Sequence, residues 1–191
     1  MYKKNLKRTL LKLFIAFALL SWLNPALSAD EPNLFISSAT LNSTQGGYFL
    51  NAEIDISLSD EAIEALDNGV TLIFDTELKI LEQRQWLWLK HQYARQLTSK
   101  LKYHTLAETY QVTDITHHHH HFSSLWAALL ALGTLQDIPL HGLTLSAETE
   151  LTGKLAMQLN IEALPLPMRP LAYITPGWYL RSDPYLWPIT P

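Results

Sequence analysis

Between Tyr48 and Leu58 every second residue is apolar: Tyr48, Leu50, Ala52, Ile54, Ile56 and Leu58. Asn51, Glu53, Asp55 and Ser57 fall between them. Side chains of an extended strand point to alternate faces, so this spacing describes a strand that is wet on one side only. One-sided strands are the mark of antiparallel sheets. The pattern recurs in Val70, Leu72, Phe74, Leu78 and Ile80, set against Thr71, Asp75, Glu77 and Lys79. It is longest near the end of the chain. There Leu143, Leu145, Ala147, Thr149, Leu151, Leu155, Met157, Leu159 and Ile161 share one face. A turn near Gly153 is the expected interruption.

The remaining elements fit around these strands. Leu34 to Leu41 is a partner for the first, joined to it by a turn at Thr44-Gln45-Gly46-Gly47. Ser59 to Asn68 reads as a short helix, capped by Ser59 or Asp60 and ended by Asn68-Gly69. Trp86 to Tyr93 and Leu97 to Tyr103 read as strand with a bend near Arg95, and Thr109 to Ile115 as a shorter one. Ser123 to Leu132 is an apolar helix, too short to span a bilayer and too apolar to lie in water. It is expected to pack across the sheet. The fold class that results is α+β: mainly antiparallel β, with a sandwich-like core, two short helices and a C-terminal tail rich in proline and aromatics.

Residues 1–29 carry a different pattern. Lys3, Lys4, Lys7, Arg8 and Lys12 precede an apolar run from Leu13 to Leu23, followed by Pro25 and the small residues Ala26, Ser28 and Ala29. That order is a secretory signal peptide with a cut after Ser28 or Ala29. The alternative is an uncleaved anchor in the inner membrane. The expected location is the periplasm. The expected organisation is a signal at 1–29, a β-rich domain at 30–163 and an extended C-terminal segment at 164–191. Five of the 14 basic residues and none of the 18 acids lie in the signal, so the remainder carries a net charge of −9. An acidic surface of that size argues against nucleic acid and anionic lipid as partners. The chain has no cysteine, which excludes disulfides, thiol chemistry and Cys-ligated metals.

Four stretches carry a resemblance in this order: 58–78 (LSDEAIEALDNGVTLIFDTEL), 101–112 (LKYHTLAETYQV), 122–140 (FSSLWAALLALGTLQDIPL), and the ending from Leu164-Pro165-Leu166-Pro167 through Trp178 to Trp187-Pro188. The chain resembles the exported proteobacterial family named domain of unknown function 4390. The resemblance implies secretion and a gene neighbour encoding a membrane sensor kinase of the nitrogen-regulation type. It implies no activity. The histidine run at His117 to His121 is not part of the resemblance.

Three features carry candidate chemistry. His117, His118, His119, His120 and His121 offer imidazoles to Zn, Ni or Cu(II). The competing reading is a low-complexity loop with opportunistic metal affinity and no supporting shell. His91, His104 and His141 are too scattered in the chain to add ligands by spacing alone. Trp86-Leu87-Trp88-Leu89 is either an aromatic platform or a strand buried on both faces. The tail holds seven of the ten prolines, and its partner-binding candidates are Pro165, Pro167, Arg169, Trp178, Tyr179 and Trp187. It reads either as a strap over a sheet edge or as a recognition segment with aromatic anchors.

No nucleophile elbow, phosphate loop or paired-His metalloprotease helix occurs, so the expectation is a non-enzymatic protein without a cofactor. The leading function is an interaction module for an envelope or inner-membrane protein, with the external region of a sensor kinase as one candidate. The alternatives are binding of a small apolar ligand or lipid between the sheet and helix 123–132, and metal binding through His117 to His121.

Overall fold

The computed structural model describes residues 33–44, 47–82, 90–145 and 150–189. The signal peptide expected at 1–29 and the Trp86 and Trp88 pair lie outside these residues. The elements in chain order begin with strands β1 (Asn33–Thr44) and β2 (Gly47–Ser57), then helix α1 (Asp60–Asp67). Strands β3 (Leu72–Glu82), β4 (Lys90–His104), β5 (Thr109–Thr113) and β6 (His119–Phe122) follow. Helix α2 (Leu125–Gly133) then leads into β7 (Thr134–Pro139) and β8 (Leu151–Leu159). The C-terminal segment contributes the one-turn helix α3 (Arg169–Ala172) and strand β9 (Tyr185–Ile189).

The strands form two antiparallel sheets, one ordered β1-β2-β7 and the other β6-β5-β4-β3-β8-β9. The α+β expectation of a mainly antiparallel, sandwich-like fold holds. The period-two residues face one shared core: Leu50, Ala52 and Ile54 from β2, with Leu72, Phe74, Leu78 and Ile80 from β3. Leu151, Leu155, Met157 and Leu159 of β8 join them. In β1 the inward series Leu34, Ile36 shifts to Ala39 because a bulge between Ile36 and Ser38 changes the phase. None of the helices among the described residues is long and apolar enough to cross a membrane.

Both expected helices form, as α1 and α2. The Ser59 side chain accepts from the Ala62 backbone N–H, and the Ser124 side chain accepts from that of Ala127. Gly69 follows α1 with φ +81°, a left-handed turn that favours glycine.

Several expectations need correction. Gly153 is not a turn; β8 runs straight through it, paired with Trp187 of β9. Strand β4 continues through Arg95 without a break, held opposite Leu78 of β3. Arg95 Nη1 donates to the Pro139 carbonyl 2.5 Å away, tying the strand to the smaller sheet. The C-terminal segment is not uniformly extended: Pro170 sits in the first turn of α3, where a missing N–H costs nothing. The same segment also supplies the edge strand β9, and Pro188 is tolerated there because an edge needs fewer donors.

Candidate functional site

Helix α2 crosses from the six-stranded sheet to the smaller one. Its position is set by Gly133, where an added β-carbon would fall 1.9 Å from the Ile54 carbonyl oxygen of β2. Ala128, Leu132 and Gly133 are its buried positions. Next to this contact, Ala131 and Leu132 of the same helix border a gap. The gap is a cleft of about 310 Å³, near the lower limit for small-molecule sites. Val112 of β5, Phe122 of β6, Ala131 and Leu132 of α2, and Leu135 and Ile138 of β7 form its apolar wall.

Six polar residues line the cleft: Ser99, Asp114, Thr116, His120, Thr134 and Gln136. Deepest is Ser99 of β4, 3% exposed, on the inward register of Leu97 and Leu101. Its hydroxyl is buried and has no hydrogen-bond partner. At the rim lie Asp114, Thr116 and His120, from the turn joining β5 to β6 and from β6 itself. Asp114 organises that turn. Its Oδ1 accepts from the Thr116 N–H at 2.8 Å, the Thr116 hydroxyl at 2.6 Å and the His118 N–H at 3.0 Å. Its Oδ2 accepts from His120 Nε2 at 3.0 Å. Partial burial pushes the carboxyl pKa up. Hydrogen bonds from Thr116, His120 and the His118 backbone outweigh burial and hold it down, at about 2. Asp114 is therefore a carboxylate at neutral pH with its acceptor sites already engaged.

The histidine run is not one loop. His117 takes a left-handed turn conformation at φ 67°, and His119 to Phe122 form the edge strand β6. Strand alternation then divides the imidazoles. His120 turns toward Asp114, and His118 Nδ1 lies 3.9 Å from the same carboxylate. His119 faces the other way, where its Nδ1 lies 2.9 Å from Gln111 Nε2. Gln111 Oε1 in turn meets His104 Nε2 at 2.5 Å, and the ring of His121 lies 6.2 Å from that of His104. The five histidines thus do not converge. Among the described residues no group of three or more His, Asp or Glu side chains is placed to hold a metal ion.

The tail candidates separate in the same way. Backbone bonds carry the segment along the whole of β8: β9 pairs with Leu151 to Leu155, and Ser182 and Leu180 then bond Met157 and Leu159. The Ser182 hydroxyl accepts from the Met157 N–H at 2.9 Å. Trp178 and Trp187 are buried, so neither is presented to a partner. Pro165, Pro167 and Tyr179 are exposed. Arg169 Nε donates to the Leu164 carbonyl at 2.8 Å, and its guanidinium lies 3.8 Å from Glu162. The Tyr173 hydroxyl donates to Glu162, which raises the Tyr173 pKa, and the Tyr179 hydroxyl donates to the Tyr173 carbonyl.

Of the cleft residues only His120 was singled out from the sequence, as one of the histidine run, although a pocket beside helix 123–132 was among the expectations. The pairing of His120 with Asp114 carries no local signal, because it depends on how the β5–β6 hairpin closes. No curated protein and no solved structure gave a significant match to the chain. A family model does match, over residues 31–188, and it takes in both sheets, the cleft and the tail strap. The chain therefore belongs to the domain of unknown function family DUF4390.

Proposed function

We propose that the domain is a non-enzymatic binding protein of the bacterial envelope. It holds a small, largely apolar molecule between the six-stranded sheet and α2. The observation that carries this reading is the cleft itself, a space of about 310 Å³ walled by Val112, Phe122, Leu132, Leu135 and Ile138. The signal-like residues 1–29 support a periplasmic location.

The test uses the neutral dye N-phenyl-1-naphthylamine and the variant Ala131→Trp, which fills the cleft from α2. Saturable dye binding by the wild type, lost in a variant that keeps its melting temperature, is the expected result. Absent binding, or equal binding by the variant, would overturn the reading.

A second reading keeps a protein partner, such as the external part of a membrane sensor kinase. The observation that favours it is the exposed group Leu166, Leu171, Tyr173, Ile174 and Tyr179. Both tyrosine hydroxyls are tied back onto the protein, so their rings are held in place as anchors of low ordering cost. Crosslinking in cells, comparing the wild type with Tyr173→Ser/Tyr179→Ser, tests it. Enrichment of one membrane protein that disappears in the double variant is expected. Identical capture by both forms would sink it.

A further inference from the structure

The larger sheet ends in two different ways. At β9 the edge lies beside β1 and carries Pro188, which has no N–H to offer. At the other end β6 reads His119-His120-His121-Phe122. Among the described residues no strand lies beyond it. It holds no Lys and no Pro, the usual devices against edge pairing. His119, His120 and His121 are all exposed.

The β5–β6 turn fixes which atoms face that edge. The Asp114 N–H donates to the His118 carbonyl at 3.0 Å, so these two residues form a hydrogen-bonded pair. Bonded and non-bonded pairs alternate along an antiparallel ladder. Val112 and His120 are therefore a bonded pair, whereas Thr113 with His119 and Gln111 with His121 are not. The backbone N–H and C=O groups of His119 and His121 thus point away from β5, toward the open edge. Their side chains share one face of the sheet, opposite to that of His120. The ring of His119 is held at Nδ1 by Gln111 at 2.9 Å and Thr113 at 3.0 Å, so Nε2 is the nitrogen it offers. The ring of His121 lies on that same face, 6.2 Å from that of His104.

One copy of the chain does not assemble a metal site from the described residues. A second copy completes one. Antiparallel pairing of β6 with its own copy, about a two-fold axis at His120, sets His119 opposite the other copy's His121, and His121 opposite its His119. Directly opposed side chains have β-carbons about 4.5–5.5 Å apart, and imidazole nitrogens bind zinc at about 2.0–2.1 Å, so opposed rings can share an ion. We propose that β6 is half of a site for a borderline divalent cation such as Zn²⁺, and that the ion joins two copies edge to edge through His119 and His121 of each. Four imidazoles make the four-coordinate nitrogen set that zinc takes. The charge of the ion offsets the repulsion between two acidic chains. A strand from any other protein would satisfy the edge backbone but leave the paired histidines without a role. This inference is independent of the cleft.

The test sizes untagged protein by multi-angle light scattering, in EDTA and in zinc chloride. The expected result is a monomer in EDTA and a dimer in zinc that EDTA reverses. His119→Ala/His121→Ala should stay monomeric in zinc. His118 precedes the strand, and His118→Ala should dimerise as the wild type does. The pairing itself has a separate readout. At the two-fold axis His120 meets its own copy in a non-hydrogen-bonded pair, with α-carbons about 4.5 Å apart, which is within disulfide range. The chain has no cysteine, so His120→Cys should form a disulfide-linked dimer under mild oxidation in zinc and not in EDTA. A wild type that stays monomeric in zinc overturns the proposal, as does a zinc dimer that survives His119→Ala/His121→Ala. A zinc dimer in which His120→Cys fails to crosslink also overturns it. Because His120→Cys keeps all the proposed ligands, it decides even if the double variant misfolds, which circular dichroism checks.

Discussion

The indole of Trp187 lies over the Cα of Gly153, its partner across β8 and β9. A β-carbon at Gly153 would come within 2.4 Å of Cε2 and Cζ2. Trp187 is buried, and Gly153 makes the room for it. The glycine is thus the seat on which the C-terminal strap closes the sheet edge. Gly153→Ala should destabilise the protein by about 1–3 kcal/mol, the usual cost of overpacking. Trp187→Ala should cost more, about 3–5 kcal/mol. Denaturant titration followed by far-UV circular dichroism measures both. An unchanged midpoint for Gly153→Ala would refute the seat.

Removing the strap altogether should be worse than either substitution. A chain ending at Ala163 loses β9 with Trp178, Leu180, Trp187 and Ile189 from the core. It also uncovers the length of β8 as a bare edge, and bare edges recruit other strands. The expected outcome is insoluble protein on expression. A soluble, monomeric truncation by size-exclusion chromatography would contradict it.

Gly133 is limited by backbone instead of a side chain. Its absent β-carbon would lie 1.9 Å from the Ile54 carbonyl oxygen, and a carbonyl within β2 cannot swing aside. Gly133→Ala should therefore cost about 3 kcal/mol, the upper end of the overpacking range. Because α2 would be pushed off β2, dye binding in the cleft should weaken as well. Dye titration on the folded fraction tests that second effect, and unchanged affinity would show that α2 does not set the width of the cleft.

The two helix caps differ in burial. Ser59 is 4% exposed and Ser124 is exposed at the surface, yet each accepts from a backbone N–H three residues on. Replacing either by Ala removes a capping bond worth about 1 kcal/mol. Ser59→Ala should lose more, because it leaves a donor without access to water. Equal melting temperatures for the two variants would contradict this.

Acid should loosen the β5–β6 hairpin before the rest of the fold. The pKa of Asp114 is depressed to about 2, so the stability it contributes is present above its unfolded value. That contribution is lost as pH falls from roughly 4 toward 2. Amide chemical shifts of His119 to Phe122 should move over that window while those of β8, which carries no acid, hold. Asp114→Asn should already show the loosened hairpin at neutral pH. Hairpin shifts that stay fixed down to pH 2 in the wild type would rule out this role.

Strands β1 to β5 and β8 and the two longer helices were legible in the sequence because each depends on neighbours a few residues away, whereas β6, β7 and β9 were not. Alternation in Tyr48 to Leu58 and in Leu151 to Leu159 places side chains on one face whatever the sheet's partners are. Ser59 and Ser124 reach N–H groups three positions along. Gly153 misled because a glycine in a strand can mean a turn or a close approach, and only Trp187, far along the chain, distinguishes them. The histidine run misled because low complexity suggests a loop, whereas pairing with β5 makes it an edge strand and sends alternate rings to opposite faces. By itself the sequence determined the one-sided strands, the capped helices, the acidic balance and the absence of cysteine chemistry. The tertiary structure alone decided that Trp178 and Trp187 are buried. It also decided that His104 comes near His121 while His120 turns to Asp114, and that Val112 of β5 and Leu135 of β7 border one cleft beside α2. Those relations join residues separated by whole elements, and nothing local specifies how two sheets and a helix come together.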